Sequence, residues 1–177
     1  MRYTKNFNLL VSTSRYNETN AKSELWFILL MCDDLYPIIS GIQFPGLISA
    51  FTNLKPREFI TKIKKIQQKN PNYFQFILKI IPIDFICETD TEVIKQIIQV
   101  NFKQFINEND TFKIILKRRH HKKIERDDFI ERIANVIDNK VDLENPDKIV
   151  RIEILGNITG VSFLRKNEII RINNKKN

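Results

Sequence analysis

The stretch VDLENPDKIVRIEILGNITGVS, from Val141 to Ser162, decides the fold of the C-terminal half of the chain. Asn145-Pro146-Asp147 within it is a turn signal, because proline restricts its own backbone angle and Asn and Asp hydrogen-bond to nearby amides. Two runs rich in Ile and Val, 149–155 and 158–164, then flank Gly156-Asn157, a dipeptide typical of tight hairpins. The stretch therefore predicts a β-hairpin.

A helix and a further strand are predicted upstream of this hairpin. Residues 111–117 (TFKIILK) have the composition of a strand, and 125–138 place Phe129 and Ile133 on one helical face. Before them, Thr89 to Glu92 matches a capping box, in which two side chains satisfy free amides at the start of a helix. The C-terminal half therefore alternates helices and strands.

The first half predicts strand, helix, strand, strand, helix, strand, which is the split βαβ pattern of a ferredoxin-like domain. In its first helix, Leu25 and Ile28 share one face, and Trp26 and Leu30 are expected to widen that inward face. Pro82-Ile83-Asp84 breaks this unit, so two small α/β domains are predicted at residues 1–83 and 84–177. The predicted strands of the first domain are 7–12, 36–40, 47–52 and 73–81, and its helices are 21–34 and 56–70.

Length and composition exclude several classes of protein. The 177 residues, 42% hydrophobic, suffice for one ordinary domain or two small ones. The longest apolar run, Leu25–Cys32, has eight residues, far below the roughly 18 needed to cross a bilayer. The N-terminus lacks the apolar region of a signal peptide, and the two cysteines suggest neither a disulfide framework nor a metal site. A soluble cytoplasmic protein is expected.

The positive charge is concentrated in patches. Lys and Arg number 29 against 21 Asp and Glu, a formal charge of +8. Residues 53–79 hold seven basic residues and one acidic residue, 113–123 hold six basic residues and no acid, and 148–177 hold seven basic and two acidic residues. Such faces favour a polyanionic partner, of which nucleic acid is the commonest.

The segment IILKRRHHKK, residues 114–123, is the most informative of these patches. Its apolar residues anchor a strand in a core, and a run of cationic or titratable residues follows. Lys and Arg can contact phosphates, and an imidazole can stack on an unpaired base. A solvated charge run in a surface loop is the alternative interpretation. An adjacent histidine pair is poorly placed to bind a metal, since neighbours on an extended chain point apart.

No set of residues predicts a specific catalytic chemistry. The chain contains no Gly-rich phosphate loop, no nucleophile elbow and no metal-ligand spacing. Asn70-Pro71-Asn72-Tyr73 resembles the Asn-Pro-Pro-Tyr signature of amino-methyltransferases, but the second Pro is absent, and a turn between helix and strand explains the segment fully. Asp33-Asp34 and Asp127-Asp128 could bind a metal, although acids at helix ends commonly serve the helix dipole. We expect no catalytic residue, no metal and no cofactor, and therefore no enzyme.

Several motifs together resemble a known family. The strand ending in Lys117-Arg118-Arg119, with Val141-Asp142-Leu143, Asn145-Pro146-Asp147 and Gly160-Val161-Ser162, is similar to the THUMP domain. In the first half, FNLLVSTSR, SELWFILL, GIQFPGL and ILKIIPIDFICETD resemble the ferredoxin-like domain that precedes THUMP in the stand-alone branch related to the tRNA acetylation adaptor. The resemblance implies an α+β chain: an N-terminal ferredoxin-like βαββαβ domain followed by a THUMP α/β domain.

The resemblance also implies a function. THUMP domains are RNA-binding modules of tRNA-modifying enzymes, and with the ferredoxin-like domain they hold the acceptor stem and single-stranded 3′ end of tRNA. Because no catalytic domain is seen to follow, it favours a non-catalytic adaptor for the RNA cytidine acetyltransferase that forms acetylcytidine with acetyl-CoA and ATP. An RNA-modifying enzyme with an unrecognised site and a protein-interaction module are the alternatives.

The expected RNA contacts lie in the basic patches. They are assigned mainly to the end of the 111–117 strand and the residues after it, with weaker assignments on neighbouring elements and on the second helix of the first domain. The candidate residues are Lys117, Arg118, Arg119, His120, His121, Lys122, Arg126, Arg151, Lys62 and Lys65.

Overall fold

A computed structural model describes residues 6–119 and 124–172. The described chain divides into two compact units. We call residues 6–83 with 168–172 the first unit, and residues 84–119 with 124–167 the second unit. His120, His121 and Lys122 of the predicted RNA contacts lie outside the described residues.

The first unit is a five-stranded antiparallel sheet with two helices. The strands occur in the order β2-β3-β1-β4-β9, and every neighbouring pair is antiparallel. The core lies between the helices and one sheet face, where Leu25, Phe59 and Ile63 pack against Val11 and Ile48. Its elements are β1 (Leu9–Thr13), α1 (Glu18–Met31), β2 (Ile38–Gly41), β3 (Leu47–Phe51), α2 (Pro56–Lys69), β4 (Ile77–Pro82) and, from the end of the chain, β9 (Ile170–Arg171).

Helix α1 differs from its prediction in position and in orientation. It begins at Glu18, three residues before the predicted start. Trp26 is 48% exposed and Leu30 is half-buried, so the expectation that both widen the inward face is wrong. Successive helical residues differ by about 100° around the axis, and Trp26 follows the fully buried Leu25, which places it off the inward face.

The loop before β3 is held by Gly46. Its φ is +78°, and a Cβ atom there would lie 2.9 Å from the Thr13 carbonyl oxygen. The Gly46 N–H donates to Oε1 of Glu18 at 2.6 Å, while the Thr13 N–H donates to the Gly46 carbonyl at 2.9 Å. Only glycine combines this left-handed conformation with so close an approach, and the contact turns the Glu18 carboxylate toward the loop.

Strand β9 is an element that the sequence did not predict. Ile170 pairs with Ile80 and Arg171 with Lys79, and Ile170 and Ile172 join the core of the first unit. The sequence-based division assigned these residues to the second domain. A two-residue strand has too little pattern to be seen without its partner.

The second unit is a four-stranded mixed sheet with helices on one face. The strand order is β5-β8-β7-β6, and β6 and β7 are parallel while the other pairs are antiparallel. The predicted hairpin is confirmed: Leu155 pairs with Ile158, and Gly156 has a φ of +62°. The elements are β5 (Phe85–Glu88), α3 (Thr91–Asn101) with a short 3₁₀ turn (Phe102–Gln104), β6 (Phe112–Arg119), α4 (Arg126–Ala134), β7 (Lys148–Leu155) and β8 (Ile158–Leu164).

The start of this unit corrects the predicted capping box. Asp90, not Thr89, caps α3 by accepting hydrogen bonds from the backbone N–H groups of Glu92 and Val93 at 2.9 and 3.0 Å. The Thr89 hydroxyl instead bonds to the Thr159 hydroxyl at 2.9 Å. The four residues before Thr89 form strand β5, which the sequence did not predict. This strand exists because β8 supplies its hydrogen-bond partners.

No helix within the described residues is long and apolar enough to span a membrane.

Candidate nucleic-acid interface

The central part of the candidate interface is the C-terminal end of β6. Leu116 is buried in the core of the second unit, and the next three residues, Lys117, Arg118 and Arg119, are exposed. Among the described residues, strand β6 lies at one edge of the sheet and pairs with β7 alone along its length, apart from a single bridge between Phe112 and Val141. The strand therefore carries three consecutive cations out of the core to an open edge.

The three cations do not share one face of the sheet. Side chains alternate along a strand, and Phe112 and Leu116 point into the helix-covered core, which places Arg118 on that side. The Arg118 Nη1 atom accordingly donates to the carbonyl of Ile124, just before α4. Lys117 and Arg119 belong to the opposite face. The sequence pattern treated these residues as one cluster, whereas the strand divides them.

Arg118 and Arg126 join β6 and α4 reciprocally. Arg118 reaches from β6 to the start of α4, and Nη1 of Arg126, the first residue of α4, donates back to the Leu116 carbonyl at 3.4 Å. Each guanidinium carries five N–H donors, so both keep donors for a ligand. These two predicted contacts thus also brace the junction of β6 and α4.

The N-terminus of α4 is already occupied by a carboxylate. Glu125 caps the helix and accepts the Asp128 N–H at 2.8 Å. Hydrogen bonds from the backbone N–H groups of Asp128 and Asp127 lower the pKa of Glu125, with a smaller contribution from Arg118. With Asp127 and Asp128 also exposed in the first turn, this helix end repels phosphate. Anion binding therefore depends on cationic side chains, those of β6 and of Arg126, and not on the helix N-terminus.

Among the predicted residues of the second unit that the structure describes, Lys117 and Arg119 have the least compensated charges. Within the described parts of the chain, neither side chain has an ion-pair partner or a hydrogen-bond acceptor. The backbone beside them is held, since the Arg119 carbonyl accepts the Gly156 N–H at 3.1 Å. A rigid strand end thus presents two free cationic side chains, an arrangement suited to phosphate oxygens.

Arg151, by contrast, is unsuited to RNA contact. It is 4% exposed, and its Nε and Nη2 atoms lie 2.7 and 2.5 Å from Oε1 of Glu153, which is 5% exposed. The Arg151 charge is buried and paired with the Glu153 carboxylate, so in this structure almost none of its surface is available to a phosphate. The sequence contained a signal for this pairing: Arg151 and Glu153 are two residues apart in a predicted strand, and residues i and i+2 of a strand share a face.

The two lysines assigned in the first unit have different surroundings. Lys62 Nζ donates to the Cys32 carbonyl at 2.9 Å and pairs with Oδ2 of Asp33 at 3.3 Å, so it binds the C-terminal end of α1. A cation at that position complements the helix dipole. Lys65 lies exposed on α2. Of the two, Lys65 is the better placed for an RNA backbone.

The alternative sites have structural roles. The buried Asp34 carboxylate accepts the Thr52 hydroxyl and the Asn53 N–H, and within the described residues no group of three or more His, Cys, Asp or Glu could hold a metal. Asn70 caps α2 and its side chain accepts the Asn72 N–H at 3.2 Å. The Asn70–Tyr73 segment is therefore a turn that is held by hydrogen bonds among its own residues.

Cys32 and Cys87 are free thiols. Burial is the main cause that raises the pKa of Cys87 to about 11, and the nearby Asp90 and Glu88 carboxylates contribute to this rise. Burial likewise raises the pKa of Cys32. Neither has the thiolate character of a nucleophile near neutral pH.

The family comparison identifies the second unit. Residues 87–164 match the THUMP domain. Over 99 residues the chain is 27% identical to THUMP domain-containing protein 1 homolog of Drosophila melanogaster, covering 52% of this chain and 31% of that protein. Over 102 residues it is 27% identical to THUMP domain-containing protein 1 of Mus musculus, covering 54% and 29%. The THUMP domain expected from the sequence is confirmed, and the chain spans about a third of the length of these relatives.

Solved structures share the fold of both units. The crystal structure of PH1313 from Pyrococcus horikoshii Ot3 superposes with a TM-score of 0.67 at 18% identity, over 94% of this chain and 55% of that one. A 4-thiouridine synthetase, crystallised with RNA and ATP, gives 0.57 at 13% identity, over 94% and 42%. The chain thus shares its fold with these two structures, one of which is a complex of a 4-thiouridine synthetase with RNA.

These structures overturn one expectation. The absence of catalytic motifs predicted that the chain is not an enzyme, and that prediction is wrong. The same fold occurs within a 4-thiouridine synthetase, of which this chain covers only 42%. In that enzyme the shared fold is one part of a longer catalytic protein. The absence of catalytic motifs from this chain therefore does not argue against enzymatic activity.

Proposed function

We propose that this chain binds tRNA through the exposed end of β6 and presents it to a tRNA-modifying active site. The observation that carries the proposal is the pair of exposed cations at the end of β6, Lys117 and Arg119, which have no ion-pair partner among the described residues and lie in a THUMP domain. The pair would bind phosphates of the single-stranded 3′ end. Arg118 and Arg126 would add donors on the other side of the same strand.

The first unit would contact the acceptor stem. Its strand order β2-β3-β1-β4, with antiparallel neighbours, supports the ferredoxin-like arrangement, and Lys65 lies on its exposed helix surface. Side chains cannot enter the deep major groove of A-form RNA, so the stem would be recognised through phosphates and 2′-hydroxyls. Specificity would come from shape and from the unpaired end.

The RNA cytidine acetyltransferase is the modifying enzyme that we propose as partner. The support for it is the resemblance of the first half of the chain to the acetylation-adaptor branch. The proposal concerns the RNA-binding step, whichever polypeptide carries the active site.

A double substitution tests the interface. Lys117→Ala with Arg119→Ala should weaken tRNA binding strongly in a filter-binding assay. It should also reduce the slope of log affinity against log salt by roughly 1.4, at about 0.7 per lost single-strand phosphate contact. Unchanged affinity and slope would disprove the assignment.

A matched control removes the same charge at the other end of the sheet. Lys140 and Lys166 are exposed. The Lys140 carbonyl accepts the N–H of Phe112, the first residue of β6, and Lys166 follows β8, whose last residue pairs near the start of β7. Lys140→Ala with Lys166→Ala should leave affinity for the 3′ end nearly unchanged. A loss equal to that of the β6 variant would indicate general charge attraction instead of a site.

A further inference from the structure

An open groove of about 700 Å³ lies between α1 and β2 in the first unit. Its volume falls within the roughly 300–1,000 Å³ typical of small-ligand sites. Two aromatic side chains line it while remaining about half-exposed, Trp26 at 48% and Phe27 at 53%. The complete lining consists of Thr19, Lys22, Ser23, Trp26, Phe27, Pro37 and Ile39.

The groove has a polar end and an apolar end. Hydroxyl groups and one ammonium group come from the first two turns of α1, at Thr19, Lys22 and Ser23. Trp26 lies one turn after Lys22, so their side chains neighbour each other on the helix surface. Pro37 and Ile39 complete the apolar part from the β2 side. A flat aromatic group with an attached anion would match this lining.

The two acidic residues of α1, Glu18 and Glu24, do not line the groove, and both carboxylates accept backbone hydrogen bonds elsewhere. Glu18 accepts the Gly46 N–H, which lowers the pKa of its carboxyl group. The two oxygens of Glu24 accept the backbone N–H groups of residues 75–77. Lys22 is therefore the only charged residue in the described lining of the groove.

We propose that this groove binds an unpaired nucleotide of RNA, with its base against Trp26 and Phe27 and its phosphate near Lys22. Stacking on aromatic side chains beside a cation is how proteins bind single-stranded nucleic acid without reading sequence. The inference rests on the proposed tRNA-binding function and adds a second contact point, in the first unit. An apolar protein segment could also cover aromatic side chains, but it would leave Lys22 without a counter-charge.

The groove contains its own spectroscopic reporter, since Trp26 is the only tryptophan in the chain. Titrating the full chain with a short single-stranded oligoribonucleotide should quench Trp26 fluorescence and protect it from acrylamide. The quench should saturate at the concentration that saturates an independent filter-binding assay.

Three substitutions sharpen the result. Trp26→Leu keeps an apolar side chain but removes the ring, and should weaken oligonucleotide binding roughly 5- to 150-fold. Trp26→Phe should restore most of that affinity. Tyr36→Ala is the control, because Tyr36 is an aromatic residue of the same unit, 81% exposed, that does not line the groove.

The outcomes separate the two proposals. If tRNA is retained on the filter while Trp26 emission and acrylamide access stay unchanged, the groove assignment is wrong and the proposed tRNA-binding function is unaffected. If no RNA is retained, both are wrong. If Trp26→Leu binds RNA as well as the wild type, stacking on Trp26 is excluded and the groove assignment is wrong.

Discussion

Arg119 and Arg151 lie in the same parallel pair of strands, yet their surroundings are opposite. Arg119 ends β6 in solvent, whereas Arg151, in the middle of β7, is 4% exposed and paired with Glu153. Both were predicted to bind RNA because both add to a basic patch. The difference shows that the position of a cation along a strand, and the residue two places away, decide whether its charge reaches a ligand.

The largest expected effect concerns the buried pair. Glu153→Gln should lower the free energy of unfolding by about 3–5 kcal/mol, because it leaves the Arg151 charge buried without a partner. Urea denaturation monitored by circular dichroism measures this. Asp128→Asn is the matched control: its ion pair with Arg132 is exposed on α4 and should cost less than about 1 kcal/mol. Equal losses would contradict the contrast between buried and exposed charges.

A smaller effect distinguishes the neighbours Arg118 and Arg119. Arg118→Ala removes the hydrogen bond to the Ile124 carbonyl and should cost about 1 kcal/mol of stability, in addition to any loss of RNA affinity. Arg119→Ala should weaken tRNA binding with an unchanged urea midpoint. If both variants were equally stable, the brace between β6 and α4 would not contribute to stability.

The smallest effect involves the exposed carboxylate cap of α4. Hydrogen bonds from the backbone hold the pKa of Glu125 below its usual value of 4.5. A carboxyl group with a lowered folded-state pKa stabilises the protein above the unfolded-state value, and this stability is lost as pH falls through the folded-state value. Glu125→Gln should therefore lower the melting temperature at pH 7, and the difference should shrink as pH falls below about 4.5.

Comparing the melting temperatures of wild type and Glu125→Gln from pH 7 to pH 3 tests this cap. A difference that stayed constant over the whole range would show that the carboxylate charge is not responsible.

Local signals were sufficient for the hairpin of the second unit and for the start of α2. Gly156 sits between two β-branched runs, and Pro56 occupies the first turn of its helix. Such signals act within a few residues of the chain, so a sequence pattern contains them. The same holds for the end of β6, where Leu116 is followed at once by three cations.

Contacts between distant segments were not predictable in this way. β5 has four residues and β9 has two, and each exists through pairing with a distant strand: the paired residues are 70 to 76 positions apart for β5 and 90 to 92 apart for β9. Trp26 was expected to widen the inward face because it lies in the continuous apolar run Leu25–Cys32. Only the packing of α1 shows which of its apolar residues remain at the surface.

The sequence by itself determined the elements around the Val141–Ser162 stretch, the THUMP resemblance and the basic end of β6, since periodicity, turn chemistry and charge are local properties. The tertiary structure decided which charges are free. Arg151 is buried against Glu153, Lys62 caps α1, and Lys117 and Arg119 remain open to solvent. Burial and pairing depend on residues brought together by the fold, and the free energy of a charge depends on those surroundings more than on its place in the chain.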